Sequence, residues 1–338
     1  MTAAARPWVP VIAVVVSVVL WSTTYGLSAI VLVTASPAVL SELRLVLAVP
    51  LMLGLVILLR PRLGLPAVTR ALRRPATVVL ALTGVALFYL PSNLGLVLST
   101  AGTASLMSAS LPVLTALIAW WLIRERITAR VLAGLAITTA GIVVASAGAV
   151  EFGPGALLLV LGLASYALYT VLLRRSGVPA SDRAPVPAEP PTDAVVLATA
   201  TAIWGALLLL PWFAWEVANG SAAWPSDGPG WVSILFLSLI VTGPTMALYN
   251  YGAERVPSAV AGTATGAVPA LGYAFAVALG EPPEPIKVVG GTLAFLGILL
   301  AALPAPSDRP GRAVSERMPV GFADPRGEAA PQREGAVT

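Results

Sequence analysis

The sequence predicts an all-α polytopic membrane protein with ten transmembrane helices in two inverted five-helix repeats. Its 338 residues are 57% hydrophobic and 11% charged, with a mean hydropathy of +0.88, whereas about 25% of the residues in a soluble domain are charged. Apolar stretches of about 20 residues, the length that crosses the hydrocarbon core of a bilayer, recur along the chain. The two halves also share an internal pattern, which is the usual mark of a repeat architecture.

Ten apolar stretches qualify as transmembrane helices. They cover roughly residues 8–33, 38–59, 76–98, 102–123, 128–150, 155–173, 194–216, 230–252, 258–279 and 285–303. The first stretch follows Arg6 and resembles a signal peptide. We interpret it as an uncleaved helix because it is too long for a signal core and carries Trp21 and Tyr25 in its middle.

The distribution of basic residues predicts the orientation of these helices. If the amino terminus is cytoplasmic, ten spans place all 20 Lys and Arg residues except Arg44 and Lys287 in cytoplasmic segments, as the positive-inside rule requires. We therefore expect a multi-pass protein of the cytoplasmic membrane with both termini in the cytoplasm. Because each half has five helices, the second half enters the membrane from the opposite side. Inverted repeats of this kind are common in secondary transporters.

Matching positions define the two repeats. An asparagine, a glycine, an alanine and a proline each recur 157 residues later, in the pairs Asn93 and Asn250, Gly95 and Gly252, Ala104 and Ala261, and Pro112 and Pro269. After one deletion the correspondence continues through Glu125 and Glu281, Gly134 and Gly290, and Gly141 and Gly297. We expect these glycines to permit close helix packing. The two glutamates precede the fifth and tenth helices, and we expect them to cap positive helix ends.

The repeats divide the chain into three regions. Residues 1–150 form the first repeat and residues 151–303 the second. Residues 174–193 within the second repeat are rich in proline and are expected to form a cytoplasmic linker. Residues 304–338 lose the apolar pattern and are expected to form a disordered cytoplasmic tail.

Polar and aromatic side chains inside the predicted spans are the candidates for a substrate cavity, because such groups in lipid need a protein, water or ligand partner. The candidates are Trp21, Tyr25, Arg44, Tyr89, Asn93, Tyr166, Tyr169, Asn250 and Tyr273. The aromatic rings could stack on a planar or cationic solute, and ordinary packing is the alternative for each ring. Substrate contact and interhelical bonding are alternatives for the asparagines. For Arg44 the alternative is snorkelling toward the outer boundary.

Composition excludes several classes of function. The chain has no Cys and no His, so disulfides, zinc clusters and histidine-dependent catalysis are excluded. We expect no metal, no cofactor, no enzymatic activity and no nucleic-acid partner, since the basic residues lie in short loops rather than in one patch. No acidic residue lies deep in a predicted span, which argues against a carboxylate proton relay. Monomer and homodimer both remain open.

Five sequence segments carry a resemblance to a known family. They are WSTTYGLSAIVL from Trp21, ELRLVLA from Glu42, SLPVLTALIAWWLIRERITARVLAGLAITTAGIVV from Ser110, YALYTVLLRR from Tyr166 and YNYGAERVPSAVAGTATGAVPALGYAFAVALGEPP from Tyr249. With these segments the chain resembles the EamA-type transporters of the drug/metabolite transporter superfamily over nearly all of residues 8–303. The Pro-rich turn after Gly280 and the long linker depart from the usual pattern of that family.

The resemblance implies a secondary transporter that moves a small organic solute through a central cavity. The solute would be an amino acid, a metabolite or a drug-like molecule, carried outward by alternating access. The alternatives are a lipid-carrier flippase and a membrane protein that does not transport.

Overall fold

The computed structural model describes residues 8–124, 127–146, 153–177, 193–253 and 264–302. All regular secondary structure in these ranges is helical. Ten apolar helices can be numbered in chain order: α1 (Trp8–Ser22 and Thr24–Leu32), α2 (Pro37–Leu59), α3 (Pro75–Val97), α4 (Ala101–Ile123), α5 (Ala129–Ser146), α6 (Pro154–Gly177), α7 (Ala194–Ala218), α8 (Gly228–Phe236 continuing through Pro244–Ala253), α9 (Val268–Ala278) and α10 (Pro285–Ala302). A short helix, Gly64–Leu72, connects α2 to α3.

The lengths of these helices support a membrane protein. By length and composition, α1, α2, α3, α4, α6, α7 and α8 are the seven helices that can cross a bilayer, while α5, α9 and α10 are shorter apolar helices. The predicted all-helical membrane architecture is thus confirmed for the described ranges. The count of ten spans remains a prediction. The tail and most of the linker lie outside the described residues.

Local chemistry explains where several helices begin. A proline occupies the first position of α2, α3, α6 and α10: Pro37, Pro75, Pro154 and Pro285. The fixed φ of proline suits that position, where the missing N–H would have no partner. Helix α7 begins with a side-chain cap instead, because Asp193 Oδ1 accepts hydrogen bonds from the backbone N–H groups of Val195 and Val196 at 3.0 and 3.3 Å.

Helices α5 and α10 cross with their backbones in contact. A Cβ atom built on Gly134 would lie 2.6 Å from the carbonyl oxygen of Gly297, and one built on Gly141 would lie 2.6 Å from that of Gly290. Thr138 Oγ1 donates a hydrogen bond to the carbonyl of Ala294 at 3.3 Å. The expected role of these glycines in close packing is confirmed. Since early residues of α5 meet late residues of α10, the two helices run antiparallel, in agreement with inverted repeats.

Two further glycine contacts, between α3 and α6 and between α8 and α1, join one repeat to the other. A Cβ atom on Gly95 of α3 would lie 2.8 Å from the carbonyl oxygen of Gly155 in α6. At the matching position of the second repeat, a Cβ atom on Gly252 of α8 would lie 2.6 Å from the carbonyl oxygen of Pro10 in α1. The first helix of each repeat therefore packs against the third helix of the other. The two repeats accordingly form one compact unit.

A buried ion cluster fixes the turn between α9 and α10. Glu281 Oε2 accepts a hydrogen bond from the backbone N–H of Gly102 at 2.8 Å, and its Oε1 accepts one from Thr100 Oγ1 at 2.7 Å. Lys287, whose side chain is 2% exposed, contacts Glu281 at 3.4 Å and Glu284 at 2.7 Å. Two carboxylates thus neutralise the one lysine of the chain.

This cluster corrects one expectation. The sequence places Glu281 before α10 and predicts that it caps that helix. In the structure its carboxylate caps the N-terminus of α4 in the other repeat, where the helix dipole favours a negative charge. Glu125, the counterpart in the first repeat, lies outside the described residues.

The α5–α10 crossing predicts a steric penalty at its glycines. A Cβ on Gly141 would clash with the backbone nitrogen of Ala294, whereas a Cβ on Gly54 would meet no atom within 4 Å. We expect Gly141→Ala to lower the free energy of unfolding by about 1–3 kcal/mol through overpacking. Gly54→Ala should be neutral or stabilising by up to about 1 kcal/mol. Thermal unfolding of both variants in detergent measures the difference, and equal midpoints would contradict close packing.

The ion cluster predicts a second stability effect. Lys287→Met leaves the partly exposed carboxylates of Glu281 and Glu284 without their cation, so we expect a loss of about 1–3 kcal/mol. Arg62→Met removes an exposed charge and should shift stability by at most about 0.5 kcal/mol. Unfolding midpoints in detergent test the pair. An unchanged midpoint in Lys287→Met would show that the cluster does not stabilise the fold.

Candidate functional site

The site is centred on Arg44, the one cation that the sequence places well inside a predicted span. Its Nε donates a hydrogen bond to Thr242 Oγ1 of α8 at 2.9 Å. Its guanidinium carbon lies 5.1 Å from the centre of the Tyr89 ring in α3. The hydroxyl of Tyr25 in α1 lies within electrostatic range of the same charge. The side chain is half-buried and engaged by both repeats, so it points into the protein rather than snorkelling.

Aromatic side chains extend from Arg44 across the interface of the repeats. Phe88 lies beside Tyr89, with ring centres 5.6 Å apart, and beside Tyr166 at 5.1 Å. Tyr166 lies 5.3 Å from Tyr169. The hydroxyls of Tyr89, Tyr169 and Tyr249 lie within electrostatic range of the Tyr166 hydroxyl. The rings are tilted rather than stacked flat, which is a favourable aromatic geometry.

A second aromatic pair closes the cluster on the α1 side. The ring centres of Trp21 and Tyr249 lie 4.8 Å apart. This contact joins α1 to α8, and the electrostatic interaction of Tyr249 with Tyr166 connects it to the first group of rings. Side chains from α1, α2, α3, α6 and α8 therefore meet in one place, which we call the aromatic–arginine cluster. Its members are Trp21, Tyr25, Arg44, Phe88, Tyr89, Tyr166, Thr242 and Tyr249.

Asn93 makes an interhelical hydrogen bond. Its Nδ2 donates to Ser41 Oγ of α2 at 2.8 Å, and Ser41 Oγ in turn donates to the carbonyl of Pro37 at 2.7 Å. Of the two roles that the sequence leaves open, interhelical bonding is therefore present. Ser41 lies one turn before Arg44, so this bond also positions the part of α2 that carries the cation. A direct role of Asn93 in substrate contact stays a prediction.

Two π-helical segments lie close to the cluster at nearly matching positions of the repeats. One covers Leu82–Ala86 in α3 and the other Leu237–Thr242 in α8. Pro244 cannot donate a backbone hydrogen bond, and hydroxyl groups of Thr242 and Thr245 bond the nearby carbonyls of Leu237 and Ile240 at 2.8 and 2.7 Å. The wider turn places Thr242 where it meets Arg44. Such π-bulges are frequent at functional sites.

Three of the sequence candidates lie apart from Arg44 or cannot be placed. Tyr273 is buried, and its hydroxyl accepts a hydrogen bond from the backbone N–H of Glu284 at 2.9 Å, so it supports the turn before α10. Tyr169 is 9% exposed and packs against Gly84, where a Cβ atom would lie 2.5 Å from its ring. The side chain of Asn250 lies outside the described residues.

Three residues of the cluster are absent from the sequence candidates. Thr242 stands in an apolar run with no polar periodicity, so the sequence carries no signal for it. Tyr249 precedes the repeated Asn250 and could have been found from that neighbour. Phe88 precedes Tyr89 and lacks a polar atom, which leaves packing as the simpler interpretation from sequence alone.

The fold and this intramembrane cluster define a membrane transporter with two repeats. The model of the EamA-like transporter family matches residues 8–147 and 153–303. The chain therefore belongs to the EamA-like transporter family. Both repeats are covered by the match.

Two named relatives and one solved structure are similar to the chain. The uncharacterized transporter YetK of Bacillus subtilis (strain 168) is 25% identical over 254 residues, 71% of each chain. A probable terminal-alkyne amino-acid exporter of Streptantibioticus cattleyicolor is 28% identical over 244 residues, 68% of this chain and 74% of the relative. A solved crystal structure aligns with a TM-score of 0.62 and 20% identity, covering 86% of this chain and 95% of the other. That last likeness supports the fold alone.

The Asn93–Ser41 bond predicts an energetic coupling between α3 and α2. In a double-mutant cycle with Asn93→Ala and Ser41→Ala, we expect a coupling of about 0.6 kcal/mol, the average for interhelical hydrogen bonds in membranes, with an upper range near 1.7 kcal/mol. Unfolding free energies in detergent give the value. A coupling free energy of zero would contradict a stabilising hydrogen bond. The pair Thr199→Ala and Asn93→Ala, which shares no hydrogen bond among the described residues, is the control.

Proposed function

We propose that this protein is a secondary transporter that exports a small organic solute bearing a carboxylate, with amino acids as the first class to test. The aromatic–arginine cluster is the proposed binding site, and alternating access is the proposed mechanism. The observation that carries the proposal is the position of Arg44 between the two repeats, where only its Nε donates a hydrogen bond to a described residue.

The donor count of Arg44 favours an anionic group on the solute. A guanidinium has five N–H donors, and the only hydrogen bond from Arg44 to a described residue uses its Nε, to Thr242. The two terminal amino groups form the fork that binds a carboxylate in bidentate geometry. An unpaired intramembrane charge is costly, so a carboxylate would lower the energy of the site when bound.

The aromatic rings suit the rest of an amino acid. Tyr89, Tyr166 and Tyr249 present ring faces to an apolar side chain, and ring faces also attract an ammonium group. Their hydroxyls offer hydrogen-bond donors and acceptors at the edge of the site. The cluster therefore fits a zwitterion better than it fits a lipid carrier, whose long chains would need a lateral opening.

Apolar contacts between α2 and α8 lie on both sides of the Arg44–Thr242 bond. Beyond Thr242, a Cβ atom on Gly243 would lie 2.8 Å from the Met52 side chain. On the opposite side, Leu40 and Leu237 belong to one buried hydrophobic cluster. A solute that reaches Arg44 has to separate one of these contacts, and alternate opening of the two is what alternating access requires.

The comparisons support the direction and the solute class at a coarse level. One relative bears a name as a probable exporter of a terminal-alkyne amino acid. That relative covers most of this chain at modest identity, so a related amino acid is a reasonable first solute. A terminal alkyne is slim and apolar, which agrees with a binding site lined by aromatic rings.

Transport in proteoliposomes tests the role of Arg44. A charge-assisted hydrogen bond is worth about 1.5–3 kcal/mol, so we expect Arg44→Gln to weaken apparent affinity for a transported amino acid by about 10- to 150-fold. The corresponding amino-acid amide, which lacks the carboxylate, should bind wild type and variant equally. Equal affinity of both proteins for the free amino acid would overturn the carboxylate assignment.

Matched controls separate binding from folding and test the direction. Arg62→Gln removes an exposed arginine outside the cluster and should transport as wild type does. Arg44→Lys keeps the charge without the fork and should recover part of the affinity. In cells preloaded with radiolabelled amino acid, overproduction of wild type should speed efflux. Unchanged efflux in these cells, together with inactive liposomes across an amino-acid panel, would contradict the proposed function.

A further inference from the structure

Glu42 is a buried carboxylate with an unpartnered oxygen inside helix α2. The residue is 7% exposed. Its Oε2 is fully buried and has no hydrogen-bond partner among the described residues; the other two such oxygens are the hydroxyls of Ser92 and Ser110. A buried polar atom without a partner is rare in folded proteins and requires an explanation. Glu42 lies near the start of α2, so the expectation that no acidic residue lies deep in a span stays a prediction.

The position of Glu42 places it where the two repeats meet. Helices α2 and α7 occupy matching positions of the repeats and pack along their lengths, with Leu45 and Met52 of α2 in one buried cluster with Leu209 of α7. Glu42 lies three residues before Leu45, on the same helical face. It is five residues after Pro37, about 8 Å along the axis at about 1.5 Å per residue.

No cation in the part of the chain that the structure describes compensates Glu42 in this conformation. Arg44, two residues away, points to a different side of the helix and bonds Thr242. On the short helix that contacts α2, Arg70 is exposed and donates to the backbone of Pro66. No salt bridge to Glu42 occurs among the described residues.

The other titratable groups on the helices packed against α2 are also engaged elsewhere. Glu216 of α7 accepts a hydrogen bond from Ser36. Tyr25 and Tyr89 lie near Arg44, and Tyr249 lies against Trp21. An ionised carboxylate at this place would be buried without a partner, at a large cost in free energy. Glu42 is therefore held as the neutral acid while α2 and α7 are in contact.

We propose that Glu42 is a proton-binding site and that its proton is the ion that drives transport. The carboxylate takes up one proton from the side to which it is open and becomes a neutral acid that can be buried between α2 and α7. When the repeats rearrange and water reaches Glu42 from the other side, the acid releases that proton as H⁺. In the return step the ammonium group of the bound amino acid takes the place of the proton and compensates the ionised carboxylate. One proton then crosses the membrane for each solute that moves in the opposite direction. The transport step rests on the proposed function, whereas proton binding does not.

Infrared spectroscopy tests proton binding without any solute. In the full chain reconstituted in liposomes, the protonated carboxyl of Glu42 should give a C=O band that disappears reversibly as pH rises. The band should be absent from Glu42→Gln, shifted in frequency in Glu42→Asp and retained in Glu216→Gln, a second buried glutamate whose carboxylate has a partner. An identical band in wild type and Glu42→Gln, or a Glu42 band that no pH removes, would overturn the proposal.

Solute accumulation tests the coupling. Liposomes with a lumen one pH unit more acidic than the bath are given L-propargylglycine, a terminal-alkyne amino acid. With the membrane potential held at zero by equal K⁺ on both sides and a K⁺ ionophore, one-for-one exchange allows wild type to accumulate the solute inside by up to about tenfold, because one pH unit equals a tenfold proton ratio. Glu42→Gln should equilibrate the solute without accumulating it and should keep solute-for-solute exchange. Glu216→Gln should accumulate it as wild type does.

The outcomes of the two experiments are distinguishable. Accumulation by Glu42→Gln equal to that of wild type would overturn the coupling role of Glu42. If wild type moves neither L-propargylglycine nor any other amino acid, the proposed function fails, and the infrared titration still decides whether Glu42 binds a proton. If Glu42→Gln does not fold, Glu42→Asp provides the test, since it should accumulate the solute and show the shifted band.

Discussion

The structure depends on the backbone contact between α5 and α10. In a bilayer the lipid tails are as apolar as the side chains, so helices gain little from hydrophobic burial and associate through close van der Waals packing instead. Gly134 and Gly141 remove the side chains that would hold the two helices apart, and their counterparts Gly290 and Gly297 do the same on the other side. Both repeats are joined by this contact, so the helices that carry the site are positioned around it.

The two repeats differ at the positions of Arg44 and Glu42. Arg44 and Glu42 lie in α2, while the matching positions of α7, 157 residues later, hold Thr201 and Thr199. Thr199 is buried and satisfies its hydroxyl on its own helix, by donating to Val195 at 2.8 Å. The first repeat thus carries Arg44 and Glu42, whereas the second holds neutral threonines at the matching positions.

The sequence predicts those parts of the fold and site whose physics is local or repeated. Glycines at helical spacing predict close packing from their own geometry, and a charge inside an apolar run predicts a partner because it is expensive there. The sequence does not predict which residues of the other repeat a side chain will contact. The sequence next to Glu281 points to α10, while its hydrogen bonds go to Gly102 in α4, and nothing in a linear pattern specifies that pairing.

Tyrosines illustrate the same limit within the site. The sequence predicts the same role for Tyr166 and Tyr273, because both are aromatic residues inside a predicted span. The structure places Tyr166 among other rings, whereas the Tyr273 hydroxyl is satisfied by the backbone of Glu284. Near the π-helical segment that brings Thr242 to Arg44, the Thr245 hydroxyl donates to the carbonyl of Ile240 in place of the N–H that Pro244 lacks, and the linear sequence does not show this substitution.

The cap that Glu281 places on α4 has a mechanical consequence. The carboxylate holds the first residues of α4 to the turn between α9 and α10 by two hydrogen bonds, and buried Lys287 anchors the same carboxylate. Any rearrangement that shifts α10 has to carry the start of α4 with it or break both bonds. Helices α4, α5, α9 and α10 are therefore tied into a frame. The arginine, the rings and Glu42 lie on five other helices, α1, α2, α3, α6 and α8, which are the part of the molecule able to change shape around a cargo.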